Sequence, residues 1–454
     1  MSGHTNPAST DVHDEHARAS ALKRAASASF IGNFIEWFDY ASYGYMAAVI
    51  GEVVSPSEDK TVQLMTSFAI FAMSFILRPV GAVVWGMWGD RKGRRWALSW
   101  SILIMSGSTF LIGLLPSHAT IGVGAALGLL LLRMIQGFSA SGEYAGAGTF
   151  LAEYAPPARR GLYTSLVPAS TACGLLAGSL MVAGLFAALD TEAMHTWGWR
   201  IPFLLAAPLG LVGRYIRVHL EDSPVYQAMR DELPDEQPRT NPFRSLLSEH
   251  GREVLITFGV SCLNAVAFYM LLSYMPTYMS KQLGFAEDTA TMATSVMLAV
   301  YIASIFVMGH LSDAMGRRKM LIIACVAFIV LSIPLFWVMS HAGTDSSGLL
   351  LIIGCQVVFA IILTANDGTL ATFLAESFPT EVRYSGFALS FNGANAILGG
   401  TTPFIVTWLI DVTGSALTPA VYLTVVALVA LVAIRASRVI HMAEIGQTNG
   451  DAQS

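Results

Sequence analysis

The chain has 454 residues, of which 54% are hydrophobic and only 13% charged, with a formal net charge of −5. Soluble domains carry about a quarter charged residues, so an ordinary soluble enzyme is excluded and no nucleic acid partner is expected. Lipid is the solvent this composition suits, and together with the twelve apolar runs and the 223-residue repeat set out below, the predicted fold class is an all-α polytopic membrane protein of twelve transmembrane helices in two six-helix bundles. A hydrocarbon core takes about 20 apolar residues to cross. Runs of that length lie at 25–51, 62–88, 95–116, 120–147, 161–188, 199–219, 253–281, 288–312, 318–341, 347–372, 383–411 and 416–437.

Residues 1–24 are polar and include His4, His13 and His16. They are too hydrophilic for a signal peptide, and the loose histidine spacing reads as a disordered tail rather than a metal site. Span one then places Glu36 and Asp39 three residues apart, hence on one helical face, with Tyr40 and Tyr43 as aromatic candidates for substrate contact or for packing. Span two carries Arg78 and ends in Gly86-Met-Trp-Gly-Asp90-Arg-Lys-Gly93-Arg94-Arg95. Span four carries Arg133 and Glu143, and Glu153, Pro156 and Arg160 follow at its end. Ionisable groups at bilayer depth cost about 2.5 to 3.5 kcal/mol each on insertion scales, so those that persist face the interior and mark function. Glu36, Asp39, Arg78, Arg133, Glu143 and, later, Asp367 are such groups. The segment 220–252, with Pro224, Pro234, Pro238 and Pro242 among acids and bases, reads as a linker between a bundle at 25–219 and a second at 253–437, with 438–454 as a closing tail.

The second bundle repeats the first. Gly309-His-Leu-Ser-Asp313-Ala-Met-Gly316-Arg317-Arg318 follows the first signature turn by 309 − 86 = 223 residues, and Thr372-Phe-Leu-Ala-Glu376 follows Thr149-Phe-Leu-Ala-Glu153 by 372 − 149 = 223. Pro379 and Arg383 match Pro156 and Arg160 at the same offset. Two unrelated echoes at one offset make the chain a duplicated unit, the form of parallel-repeat transporters. The same offset sets Glu36 against Gly259, Asp39 against Cys262, Arg78 against Tyr301, Arg133 against Gln356 and Glu143 against Asn366, all neutral. The terminal charges of the turns persist in both halves, whereas the buried ones do not. Proton handling is therefore expected in the first half, at Asp39, Glu36, Arg133 and Glu143. Substrate contacts are expected from Tyr40, Tyr43, Arg78 and Arg133 together with the second half's Asn264, Tyr269, Asn366, Asp367, Asn392 and Asn395, although each asparagine could equally serve as an interhelical hydrogen bond.

Of the 26 lysines and arginines, only Lys60, Arg200 and Lys281 fall in loops after odd-numbered spans. The positive-inside rule then places both termini in the cytoplasm of a cell membrane. Gly86, Asp90, Arg94, Arg95, Glu153 and Arg160, with Gly309, Asp313, Arg317, Arg318, Glu376 and Arg383, form an expected cytoplasmic gate, in which Glu153 pairs with Arg160 and Glu376 with Arg383. Anchoring plus a turn would account for the arginines but needs neither the acids nor the glycines at fixed positions. The cysteines Cys173, Cys262, Cys325 and Cys355 lie within apolar runs and imply no disulfide framework.

The repeated turn resembles the signature loop of the major facilitator superfamily, and Arg133-Met-Ile-Gln-Gly137 resembles the fourth-helix arginine motif of that superfamily. Gly32-Asn-Phe-Ile-Glu36-Trp-Phe-Asp39-Tyr, Gly137-Phe-Ser-Ala-Ser-Gly142-Glu143-Tyr, Trp197-Gly-Trp-Arg200-Ile-Pro-Phe and Phe378-Pro-Thr-Glu-Val-Arg383-Tyr resemble the metabolite:proton symporter family, which includes proline/betaine, α-ketoglutarate, citrate and shikimate permeases. The resemblance implies proton-coupled uptake of a small organic acid or zwitterion by alternating access, in a bilayer, by a chain working as a monomer with no cofactor. It further implies an Asp39–Arg133 pair whose carboxylate alternates between ionised and protonated states. If Asp39 occupies Arg133, one arginine remains, which favours a monocarboxylate or zwitterion over a dicarboxylate. The residues after span twelve show no heptad pattern of the coiled coil some proline/betaine members carry, which leaves osmotic activation an open question and betaine or proline open as cargo.

A membrane enzyme would need a nucleophile and base or metal-ligand spacing, and His310 and His441 stand isolated. A static Asp39–Arg133 pair would instead leave an uncoupled facilitator, and a non-transporting sensor would be expected to carry a soluble output domain.

Overall fold

The computed structural model describes residues 7–58, 60–219, 222–232 and 242–437, and among these the chain is helical with no strand. Among the described residues, ten helical runs are long and apolar enough to cross a membrane: Arg94–Leu114, Gly124–Tyr154, Pro157–Ala188, Gly198–Val218, Gly251–Lys281, Thr289–Met315, Arg317–His341, Ser346–Glu376, Arg383–Thr413 and Thr418–Ala436. They are spans three to twelve. Span one is Pro7–Tyr45 continued by Ala47–Val54, and span two is Lys60–Ile76 continued by Arg78–Lys92. The twelve helices form the two six-helix bundles of the expected fold class.

One expectation is corrected at the start of the chain. The first helix begins at Pro7, so the part of the tail from there to residue 24 is helical rather than disordered. Alanine, arginine and lysine dominate the end of that stretch, and a helix satisfies its own backbone groups whether or not the surface is apolar. Residues 1–6 with His4, 233–241 of the linker with Pro234 and Pro238, and 438–454 with His441 lie outside the described residues, as do the side chains of His13 and His16.

Small residues let the helices approach. A Cβ on Gly174 would lie 2.5 Å from the Phe34 carbonyl oxygen and one on Gly178 would lie 2.8 Å from that of Phe38, so the glycine pair of span five seats span one. Asn33 of span one fixes the register by donating to the Val167 carbonyl at 2.8 Å. Large apolar side chains such as Phe404, 74% exposed, point outward, as a lipid-facing surface requires. Two spans of the second half are interrupted by π-helical turns, Tyr269–Tyr274 in span seven and Asn395–Gly399 in span eleven. At the end of the bundle opposite the arginine-rich turns, Asp345 caps span ten, and the Ser347 hydroxyl and Gly348 amide hold its carboxyl below the usual carboxylate range.

Candidate functional site: a charged interior and an interlocked end

Three buried acids of the first half each meet their own arginine. Arg133 of span four reaches Asp39 at 2.7 Å, Gln136 adds a second donor at 3.2 Å, and the guanidinium lies 3.8 Å from the centre of the Tyr43 ring. Arg78 of span two reaches Glu36 at 2.8 Å and donates to the Tyr40 hydroxyl at 2.8 Å. Glu143 is bound by Arg217 and accepts from Ser101 at 3.0 Å, while Arg217 also donates to the carbonyls of Ala28 and Leu98. Glu36 thus sits with Arg78 rather than backing Asp39, although both leave the same face of span one. Glu143 sits in a structural knot of spans one, three, four and six. Arg217 was absent from the sequence-based candidates because it lies near the end of span six, where an arginine ordinarily reaches out to the interface. Its only sequence signal is its placement inside the run 199–219.

Around Arg78 the aromatic residues close a ring. Trp37 and Tyr40 lie 5.6 Å apart between centroids, Tyr40 and Phe75 5.8 Å, Phe75 and Tyr269 6.0 Å, and Tyr269 and Trp37 6.2 Å, with Phe268 at 5.0 Å from Trp37. The ring spans both halves. The Tyr269 hydroxyl and Arg78 Nε are buried without a partner among the described residues. Tyr269 opens the first π-helical turn and Asn395 the second, and the two turns meet where Gly399 packs on the Tyr269 ring: a Cβ there would come within 2.7 Å of it. Such turns recur at functional sites because they free and redirect backbone groups.

The remaining second-half candidates separate. Asn264 donates to one oxygen of Asp367 at 2.7 Å and the Tyr301 hydroxyl to the other at 2.6 Å. Asn366, fully buried beside Asp367 in sequence, has no partner for either amide atom among the described residues. Span four is broken between Ala140 and Glu143, and Asn392 donates to the Ser141 carbonyl there at 2.8 Å, tying span eleven to the break. Asn395 donates to Phe391 O at 2.9 Å, within its own helix. Tyr43 is fully buried and donates to Ser67 O at 2.9 Å.

At the arginine-rich end the two halves interlock by exchange. Asp90 accepts from the backbone amides of Tyr384 and Ser385, at 3.2 and 2.9 Å, at the N-terminus of span eleven. Asp313 does the same to Gly161 and Leu162, at 2.8 and 3.0 Å, near the N-terminus of span five. Each acid meets the positive end of a helix in the other half. The glutamates exchange too. Glu153 pairs with Arg383 at 2.8 Å and Arg94 at 3.2 Å, and Glu376 with Arg160 at 3.7 Å and Arg317 at 3.5 Å. The expected pairings of Glu153 with Arg160 and of Glu376 with Arg383 are therefore corrected: within each half the arginine's Nε is taken by a backbone carbonyl, Ala152 for Arg160 and Ala375 for Arg383. Gly86 and Gly309 sit where the halves touch, a Cβ on Gly309 falling 2.6 Å from Gly161 O and one on Gly86 falling 2.7 Å from the Ser385 Cα. Gly93 and Gly316, at φ of 102° and 92°, turn the chain between spans in a conformation other residues avoid.

Arg95 and Arg318 stand outside this junction. The Arg95 amide donates to Asp222 at 2.9 Å, and Arg318 donates to Arg435 O at 2.9 Å. Asp222 begins a strap that sequence reasoning missed: Ser223 donates to Glu153, Tyr226 lies under Arg94 at 4.7 Å, and its hydroxyl donates to Arg91 O. Burial pushes the Asp222 carboxyl up, against the pull of the Arg95 amide.

The model of the sugar (and other) transporter family matches residues 25–239 and 227–436, so both halves fall within it. The chain belongs to the major facilitator superfamily. It is a transporter and not an enzyme. This facilitator is 38% identical to the proline/betaine transporter of Salmonella typhimurium over 421 residues, covering 90% of this chain and 82% of that one. It is 37% identical to the glycine betaine/proline/ectoine/pipecolic acid transporter OusA of Dickeya dadantii, with the same coverage. Among solved structures the facilitator resembles the proton:xylose symporter XylE bound to 6-bromo-6-deoxy-D-glucose, at a TM-score of 0.75 and 16% identity over 92% of this chain and 95% of that one. FucP in the outward conformation aligns at a TM-score of 0.66 and 12% identity, over 91% of this chain and 99% of that one.

Proposed function

We propose that this facilitator takes up a small zwitterion of the proline or betaine kind together with protons, by alternating access, as a monomer in the cell membrane with both termini in the cytoplasm. Charge balance carries the reading. Arg78, Arg133 and Arg217 are each matched by an acid. A dicarboxylate or tricarboxylate would require two arginines free to bind it, and its charge would go uncompensated. A zwitterion adds no net charge. Its carboxylate fits the unpartnered Arg78 Nε and Tyr269 hydroxyl, and its ammonium or pyrrolidinium end fits the faces of Trp37, Phe268 and Tyr269. The names of the relatives, proline/betaine and glycine betaine transporters, point the same way.

Asp39 carries the coupled proton in this reading. Protonation neutralises it and frees Arg133, and deprotonation restores the pair, so the proton and the arrangement of spans one and four change together. The gate at the arginine-rich, cytoplasmic end is closed when Asp90 and Asp313 hold the opposite half's helix ends, and opening inward breaks both contacts and the exchanged glutamate–arginine pairs. Counterflow exchange in proteoliposomes, run over proline, glycine betaine, α-ketoglutarate, citrate and shikimate, tests the substrate class. Exchange of the zwitterions alone supports it, and exchange of citrate or α-ketoglutarate in their place overturns it.

A further inference from the structure

Among the described residues every other buried acid inside the spans has an arginine, but Asp367 has none. It is 1% exposed, in span ten, and its two oxygens accept only from neutral donors, the Asn264 amide at 2.7 Å and the Tyr301 hydroxyl at 2.6 Å. No salt bridge reaches it among the described residues. The titratable groups around it are Tyr301 of span eight and Tyr144 of span four, both phenols and neither a cation. An isolated ionised carboxylate in such a place is costly to keep, and a carboxyl group without a fixed counter-charge is balanced by a proton or by nothing.

We infer that Asp367 is a second proton-binding site, placed in the second half and separate from the Asp39–Arg133 pair. The site rests on the reading of this chain as a proton-coupled facilitator and deepens it. Both states have partners. As a carboxylate, Asp367 is solvated by Asn264 and Tyr301 as found. As an acid, its O–H donates to the Tyr301 oxygen while Asn264 continues to donate to the other Asp367 oxygen. The proton is taken onto a carboxylate lone pair and leaves from it, so no other reactant is needed. Asn264, 4% exposed, is buried with the cluster, and Asn366, both of whose amide atoms are unpartnered among the described residues, supplies spare hydrogen-bonding capacity next to Asp367 in the chain. At the equivalent first-half positions stand Ala41, Arg78 and Tyr144 for Asn264, Tyr301 and Asp367, so the cluster belongs to the second half alone.

Infrared difference spectroscopy on the purified facilitator in proteoliposomes reads this directly. The expected result is a protonated-carboxyl stretch that appears and disappears with pH, is lost in Asp367→Asn and persists in Asp39→Asn. Reversal-potential measurements with glycine betaine should show a lower proton:substrate ratio in Asp367→Asn than in the parent, with a monodisperse gel-filtration peak and a parent-like thermal unfolding transition reporting that the variant is folded. Asp367→Glu should restore a carboxyl band. A parent spectrum in which no such band depends on Asp367, or an unchanged ratio in Asp367→Asn, overturns the site. A parent that moves substrate with no protons at all overturns the coupled reading instead, and the infrared band still decides whether Asp367 binds a proton.

Discussion

Asp90 receives two backbone amides and the Ser385 hydroxyl at 2.7 Å from the opposite half and pairs with Arg94 of its own turn at 3.3 Å, so its removal strikes the contacts of the proposed gate. Hydrogen bonds to a charged group contribute about 1.5 to 3 kcal/mol each, enough to move an open–closed ratio tenfold or more. Asp90→Ala should therefore raise cytoplasmic accessibility of cysteines placed in the cavity by at least about tenfold while the protein stays folded; unchanged accessibility and transport would remove the gate from the account. Arg78→Ala should raise the KM for glycine betaine far more than it lowers kcat, since it deletes the proposed carboxylate partner, and an unchanged KM would place the substrate elsewhere. At this scale the sequence made the buried acids and arginines visible, because charge in an apolar run stands out. The resemblance pointed to the Asp39–Arg133 pair, which the structure contains, but not to the pairing of Glu36 with Arg78 or of Glu143 with Arg217. Glu36 and Asp39 share a helical face yet face different neighbours, spans two and four, and that choice is made by helix packing rather than by spacing along the chain. Arg217 was missed because it lies near the end of its span, and its partner, 74 positions away in the chain, gave no local sign of it.

Spans five and eleven begin with matched arginines, Arg160 and Arg383, and each presents its N-terminus to an aspartate of the other half. The repeat was legible as an echo at a fixed offset. The exchange between halves was not, because nearness in sequence favours the within-half pairing that the backbone carbonyls of Ala152 and Ala375 in fact occupy. Close contact of spans five and eight depends on two facing glycines. Gly309→Val should push those spans apart, disfavour the closed gate and slow uptake several-fold, with cysteine cross-linking across the junction as the check; wild-type cross-linking would contradict the packing. The π-helical turns of spans seven and eleven carried no sequence signal at all, since apolar periodicity predicts a helix without distinguishing one extra residue per turn.

Taken as a whole molecule, the facilitator is two similar bundles that differ in their interiors. Among the described residues, one interior holds three acid–arginine pairs, and the other holds neutral polar groups around a single acid. The closed end is nearly symmetric in its acid–helix contacts, and the strap from Asp222 to Tyr226 is the main departure from that symmetry among the described residues, binding the linker to Glu153 and Arg94. A symmetric gate around an asymmetric interior is what a transporter needs if both faces open by the same motion while the cargo and the driving ion bind at distinct places. Accumulation of glycine betaine in proteoliposomes under an imposed inward proton gradient, parent against Asp39→Asn, tests this most directly. The account predicts that the parent concentrates betaine only while the gradient lasts and that Asp39→Asn merely exchanges it. Accumulation by Asp39→Asn to the parent level, or equal uptake by the parent with and without the gradient, would contradict it.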